Sequence, residues 1–123
     1  MRIKTGRYGG FSLVELMIVV AVIGMLLAMA IPNFVKARDA SQLTTVYNNL
    51  RAIEAAKDQW ALENKKGTGD TTNLAALSDY LKGGTIKLAV HEVYASNLVG
   101  SPAYATCNVK LGTYAPTDPI SIP

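Results

Sequence analysis

The sequence is poor in the residues from which metal and catalytic centres are built. It has one histidine, His91, and one cysteine, Cys107, in 123 residues. No Cys or His cluster and no carboxylate pair with ligand spacing accompanies either residue, so we predict no metal site, no catalytic site and no cofactor. A single thiol excludes a disulfide within the chain, and a buried apolar position is the expected place for Cys107, with pairing between chains as the alternative. An enzyme is therefore not expected.

Excess positive charge is also lacking outside the N-terminal tip. The formal net charge is +3, and Arg2, Lys4 and Arg7 account for it, because the remaining nine basic residues are balanced by nine acidic ones. No clustered basic and aromatic surface is visible, so a nucleic-acid partner is not expected. A basic tip of this kind is typical of the cytoplasmic side of a membrane segment.

The sequence does contain one long apolar run, from Phe11 to Ile31. As a helix it would span about 31 Å, which matches a hydrocarbon core of about 30 Å. A secretory signal peptide is one interpretation, but the run is too long, and Ala28 and Ala30 only superficially mimic a cleavage site. A plain membrane anchor is the second, with the N-terminus in the cytoplasm because positive residues precede the run.

A third interpretation explains two details that a plain anchor leaves unexplained. Gly9 and Gly10 separate the basic tip from the apolar run, and Glu15 lies inside the run. A carboxylate within a bilayer costs about 2.5–3.5 kcal/mol and needs a partner. Cleavage after Gly10 would give Phe11 a free amine one helical turn from Glu15, in its own chain or a neighbour. The ion pair between this amine and the Glu15 carboxylate would favour one register of assembly. An acid hydrated near the membrane edge is the alternative.

The stretch GFSLVELMIV at 10–19 resembles the processing motif of type IV pilins and type II secretion pseudopilins. The resemblance implies that a prepilin peptidase cleaves after Gly10 and N-methylates Phe11, and that Glu15 guides subunit docking. Pro32 matches the proline that closes the family's membrane segment. The partners that it implies are copies of the chain, other pilin-like subunits, the peptidase, an inner-membrane assembly platform and membrane lipid. The implied location is the bacterial inner membrane, crossed once, with a cytoplasmic N-terminus and a periplasmic head before filament assembly.

Gly24 and Pro32 are predicted weak points in this helix. A proline inside a helix removes a backbone hydrogen bond and kinks or locally melts it. A glycine weakens the helix and allows close helix approach. Together they would let the segment loosen in a filament, and a simple kink at the membrane boundary is the alternative for Pro32.

The rest of the chain predicts an α+β fold with a long N-terminal helix and a small head. Residues 33–64 lack glycine and proline, and their apolar residues recur at helical spacing. These stripe residues are Leu43, Val46, Leu50, Ile53 and Trp60. The predicted helix therefore runs from 11 to 64, and its hydrophobic half must project from so small a head, which is the ladle shape that the resemblance implies. The predicted parts are a cleaved leader (1–10), a transmembrane assembly helix (11–32), an amphipathic helix (33–64) and a globular head (65–123).

The head is predicted to hold a short helix and a small antiparallel sheet of two to four strands, packed on the stripe. The helix would run from a Thr72 cap to Leu81, with Leu74 and Leu77 also facing inward. Alternating apolar residues predict strands at 85–90 and 104–111. Three prolines predict an irregular tail at 113–123.

These observations favour a structural subunit of a type IV pilus-like filament. The short head and the lack of an intrachain disulfide lean towards a type II secretion pseudopilin over a generic type IV pilin. The alternative is a monomeric, membrane-anchored periplasmic binding module that uses a pilin-like signal. That alternative would need an apolar groove or a basic stripe, and neither is visible in the sequence.

Overall fold

The structure is a computed structural model that describes Gly6 and residues 9–123. It contains the helix α1 (Leu13–Glu63), a 3-10 turn (Ser78–Tyr80) and the strands β1 (Val93–Ala95), β2 (Tyr104–Thr106) and β3 (Pro119–Ser121). One long N-terminal helix and a small antiparallel sheet confirm the predicted α+β class. The chain divides into two units, with the boundary in the sequence between Val35 and Lys36. The basic residues Arg2, Lys4 and Arg7 of the predicted leader lie outside the described residues.

The bounds of α1 agree closely with the predicted helix from 11 to 64, and both ends are capped. At the start, the Ser12 amide donates to Glu15 Oε2 at 3.0 Å, which is half of a capping box. At the end, Lys65 takes a left-handed conformation with φ of 52°, and the Lys66 amide donates to the Ala61 carbonyl at 2.8 Å. This is a Schellman cap with lysine in the position that glycine usually fills.

The core of the second unit forms on the predicted apolar stripe of α1. Val46, Leu50 and Ile53 are completely buried, and Leu43 and Trp60 pack against the same core while half-buried. The stripe is thus confirmed. Completely or nearly completely buried residues contributed from outside the helix are Leu77, Ala103, Ala105, Leu111 and Ile120.

The sheet has the order β1-β2-β3, and both strand pairs are antiparallel. Tyr94 faces Ala105, and Ala105 faces Ile120, in the central register of the three strands. These three residues are buried, whereas their strand neighbours are more exposed. Each strand therefore contributes one inward side chain, as expected from the two-residue period of a strand.

The predicted strand at 85–90 is wrong, because that segment is irregular and the first strand begins only at Val93. The amides of Ala89 and Val90 donate to the Glu92 carboxylate, so they are not available to a strand ladder. Of the apolar residues that suggested this strand, Ile86 and Val90 pack against the core, whereas Leu88 is 56% exposed.

The predicted strand at 104–111 is shorter than expected, and the predicted irregular tail contains a strand. β2 ends at Thr106, after which the Cys107 carbonyl accepts a hydrogen bond from the Thr117 amide at 2.7 Å. The tail returns to form β3, which begins at Pro119 on the edge of the sheet. An edge strand tolerates proline because the missing amide has no ladder partner to lose.

The predicted helix from Thr72 to Leu81 is also wrong in kind, since only the 3-10 turn is helical there. The Thr72 hydroxyl donates to the Asn97 carbonyl at 2.8 Å and caps no helix. The inward orientation is nevertheless confirmed, because Leu77 and Leu81 are buried and Leu74 packs against the core.

Candidate processing and assembly segment

The predicted cleavage site lies in non-helical chain immediately before α1. Gly9, Gly10, Phe11 and Ser12 are all exposed and precede the first helical residue, Leu13. The Phe11 side chain is 81% exposed. A peptidase must bind its substrate as accessible, extended backbone, and the Gly10–Phe11 bond has that accessibility in this structure.

Glu15 lies in the first turn of α1, close in sequence and in space to this junction. Its carboxylate accepts the Ser12 amide, and the Leu16 amide donates to the Ser12 carbonyl at 3.2 Å. A negative charge is favoured at a helix N-terminus, where backbone N–H groups lack partners. The S-x-x-E spacing of 12–15 is a recognised helix-start signal, and it gives Glu15 a local role that the sequence analysis did not assign.

The described residues of the first unit present a continuous, exposed apolar surface. Every residue from Leu13 to Val35 is exposed, and this part of α1 is long and apolar enough to cross a membrane, by length and composition alone. Apolar surface exposed on this scale is strongly unfavourable in water. Lipid or other apolar helices are the environments that would remove the cost.

The two predicted weak points lie within α1, which continues through both. Pro32 has no amide hydrogen, so the Ala28 carbonyl receives no bond from it. Next to it, the Asn33 side-chain amide donates to the Met29 carbonyl at 3.1 Å. At Gly24, an added Cβ would meet no atom within 4 Å, so this face of the helix is open.

A buried lysine in the head was missed by the sequence analysis. Lys57 is completely buried, and its ammonium donates to Glu54 Oε1 at 3.1 Å, to the Ser96 carbonyl at 3.1 Å and to the Ser101 carbonyl. Glu54 Oε1 also accepts the Ala103 amide. All three ammonium protons therefore donate hydrogen bonds, and the two to Ser96 and Ser101 link α1 to the loop between β1 and β2. The sequence signal was the position of Lys57, four residues after Ile53 on the apolar stripe.

Glu92 is a second buried charge that the sequence analysis did not single out. Its carboxylate accepts the Ala89 and Val90 amides and the Tyr94 hydroxyl, the last at 2.7 Å. Burial alone would raise the pKa of Glu92, but these hydrogen bonds to the ionised form outweigh it and hold the pKa below its usual value. Burial raises the pKa of Tyr94 well above its usual value, and its hydroxyl accepts from the Asn49 side chain at 2.8 Å.

The side chains of Lys57 and Glu92 are both held by hydrogen bonds to other parts of the head. Within the described part of the chain, no group of three or more His, Cys, Asp or Glu side chains could hold a metal ion. Cys107 is buried, as predicted. Burial, with a smaller contribution from the Glu92 carboxylate, raises the pKa of its thiol, which disfavours the nucleophilic thiolate.

An exposed glycine junction, an acid in the first helical turn and a membrane-length apolar helix together define a prepilin-type N-terminal segment. Residues 6–31 match the family described as the prokaryotic N-terminal methylation motif. The resemblance to type IV pilins and pseudopilins is thereby confirmed for this segment.

The curated relatives are pilins and secretion-system proteins. The chain is 45% identical over 60 residues to the type IV major pilin protein PilA of Myxococcus xanthus, a match that covers 49% of this chain and 27% of the relative. It is 36% identical over 58 residues to type II secretion system core protein G of Pseudomonas aeruginosa, covering 47% and 41%. Fimbrial protein Q of Moraxella bovis is 36% identical over 102 residues, covering 79% and 62%. No solved structure matches significantly.

The chain thus spans less than two thirds of the length of each of these relatives. Pilins, fimbrial proteins and pseudopilins are structural subunits, in agreement with the expectation that this chain is not an enzyme. The likeness to both pilins and core protein G also agrees with the two filament types that the sequence analysis favoured.

Proposed function

We propose that this chain is a structural subunit of a type IV pilus-like filament, either a type II secretion pseudopilin or a generic type IV pilin. The observation that carries the proposal is the exposed Gly10–Phe11 junction directly before a membrane-length apolar helix with Glu15 in its first turn. In this proposal residues 1–10 are a leader, 11–32 are the membrane and assembly segment, and 33–123 form the head with its amphipathic helix.

Processing is the first step of the proposed function. A prepilin peptidase cleaves after Gly10 and methylates the new amine of Phe11. The exposure of both residues supports this step, because no tertiary contact must open before the bond becomes accessible. Cleavage also removes Arg2, Lys4 and Arg7, which leaves side chains with no net charge.

Docking of the processed chain is the second step. The Phe11 amine of one subunit pairs with Glu15 of a neighbour while the apolar surfaces from Leu13 to Val35 pack together in the filament. A carboxylate in an apolar bundle is costly without a cation, so only the register that brings the two charges together is favoured. In the unprocessed chain Glu15 instead accepts the Ser12 amide, a bond that it can give up at low cost.

The proposed location is the bacterial inner membrane, with a cytoplasmic N-terminus and a periplasmic head before assembly. An inner-membrane platform would extract the chain and add it to a filament of like subunits. Gly24, where an added Cβ would meet open space, and Pro32, which donates no hydrogen bond to the Ala28 carbonyl, support local loosening of the helix during this step.

The docking step is tested with the variant Glu15→Ala and the matched control Asp58→Ala, both in a cell with a pilus or secretion assembly system. Each variant removes one exposed carboxylate from α1, and Asp58 lies outside the apolar surface from Leu13 to Val35. We expect both chains to insert in the membrane, and we expect only Glu15→Ala to lose recovery in sheared filaments, by about tenfold or more, as for a lost buried ion pair. Normal assembly of Glu15→Ala would contradict the docking role. Insertion of all chains with no filament in any of them would instead support a monomeric binding module.

A further inference from the structure

Four basic side chains converge on two adjoining grooves of the second unit. Arg38, His91 and Lys110 line a groove of about 370 Å³, and Lys36 and Lys110 line a neighbouring groove of about 490 Å³. We call Lys36, Arg38, His91 and Lys110 the basic cluster. Its members come from α1, from the turn before β1 and from the segment after β2, so folding alone brings them together.

The described residues that line the two grooves neutralise only part of the positive charge of the basic cluster. Asp39 is the single carboxylate that lines either groove, so the net charge there is +2 even with His91 neutral. In the part of the chain that the structure describes, the one ion pair within 4.0 Å joins Lys57 and Glu54. Lys36, Arg38 and Lys110 are therefore open to an anion from outside the chain.

The position of the basic cluster along the chain favours a lipid as the source of that anion. Lys36 and Arg38 follow Pro32 by four and six residues in α1, or by about 6 and 9 Å along a helix. The polar headgroup layer extends roughly 5–8 Å beyond each side of the hydrocarbon core. With 11–32 in the membrane, Lys36 lies at the depth of this layer, and Arg38 lies just beyond it, from where its long side chain can extend back to the lipid phosphates.

We propose that the basic cluster binds the phosphate group of an anionic phospholipid while the chain is stored in the membrane before assembly. The proposal rests on the membrane placement of 11–32 in the proposed function. Phosphate recognition by arginine and lysine is common because charge-assisted hydrogen bonds to its oxygens are strong. A cluster of basic side chains beside a membrane segment also gains from the negative potential of an anionic lipid surface.

The test uses the full, unprocessed chain, labelled with ¹⁵N, in micelles of the uncharged detergent dodecyl maltoside. Dioleoyl phosphatidylglycerol, dioleoyl phosphatidylcholine and inorganic phosphate are titrated separately, and the amide shifts of 36–42, 89–91 and 109–113 are followed. We expect saturable shifts with phosphatidylglycerol, much weaker shifts with phosphatidylcholine, and none with inorganic phosphate at the same concentration. Each basic side chain near an anionic surface contributes about a factor of five.

The variant Arg38→Gln/Lys110→Gln should therefore bind phosphatidylglycerol about 25-fold more weakly. The control Lys66→Gln/Lys82→Gln removes the same charge from exposed positions outside the basic cluster and should bind like the wild type. Equal loss in both variants, or no loss in the first, would overturn the proposal. So would equal affinity for inorganic phosphate, or shifts at these amides that depend on protein concentration without lipid, which would indicate a second copy as the partner.

This assay needs neither cleavage nor a filament, so its result is independent of the docking test. A negative lipid titration would leave the filament proposal standing. Conversely, a chain that binds phosphatidylglycerol but never assembles into a filament would leave the lipid proposal standing.

Discussion

Replacement of Lys57 by methionine should destabilise the head more than any comparable change on its surface. Methionine fills a similar volume but donates no hydrogen bond, so the Ser96 and Ser101 carbonyls lose their donor. It also leaves the Glu54 carboxylate, whose side chain is 28% exposed, without its cation. Breaking a buried pair in this way typically costs about 3–5 kcal/mol. The partial exposure of Glu54 places the expected loss near the lower end, at about 3 kcal/mol.

The assay is urea unfolding of the full chain in uncharged detergent, followed by the fluorescence of Trp60. That side chain is half-buried against the core of the head, so its emission reports unfolding of this unit. The control Lys66→Met removes an exposed lysine and should change the free energy of unfolding by less than about 0.5 kcal/mol. The double variant Glu54→Gln/Lys57→Met should recover about 1 kcal/mol over Lys57→Met, because no uncompensated charge stays behind. If Lys57→Met matches the Lys66→Met control, the ammonium does not fasten α1 to the β1–β2 loop as we argue.

Two further predictions concern the other buried polar groups of the head. The folded-state pKa of Glu92 is lowered, so its contribution to stability is full above its unfolded pKa of about 4.3 and is lost as the pH falls through the folded pKa. Glu92→Gln should thus flatten the loss of stability below about pH 5 in acid titrations followed by Trp60 fluorescence, and an unchanged profile would contradict the role of its hydrogen bonds. Cys107 is buried with a raised thiol pKa, so it should react with a disulfide reagent at pH 8 at least about a hundredfold faster in urea than in the native chain. Rapid native labelling would refute its burial.

The long helix and its packing face were predictable because their signals are local and strong. The bounds of α1 fall within two residues of the predicted 11–64, since glycine and proline are absent from 33–64 and the stripe repeats at helical spacing. The buried stripe residues Val46, Leu50 and Ile53 follow from the same periodicity.

The strands were less predictable because side-chain hydrogen bonds and sheet position, which the alternation pattern does not show, decide them. The alternation of Ile86, Leu88 and Val90 predicted a strand, but the Glu92 carboxylate takes two of its amides. The strand β3 was not predicted because it begins with Pro119, and prolines are typical of irregular segments. The sheet tolerates this proline because β3 is an edge strand.

The two candidate sites also differ in whether the sequence alone predicts them. The match of 6–31 to the N-terminal methylation motif was predictable, since its signals Gly10, Phe11 and Glu15 lie within six residues of one another. The basic cluster was not visible in the sequence, because Arg38, His91 and Lys110 are brought together only by the fold.

The central claim, that this chain is a processed filament subunit, is tested most directly at its N-terminus. The full chain is expressed with and without a prepilin peptidase, and its intact mass and terminal peptide are measured by mass spectrometry. Gly10→Val, which blocks the proposed cleavage site, and Gly9→Ala, where an added Cβ meets no atom within 4 Å, serve as matched variants. We predict a mature chain that begins at Phe11 with one added methyl group for the wild type and for Gly9→Ala, and no cleavage for Gly10→Val. A wild-type chain that retains Met1 beside an active peptidase would contradict the account.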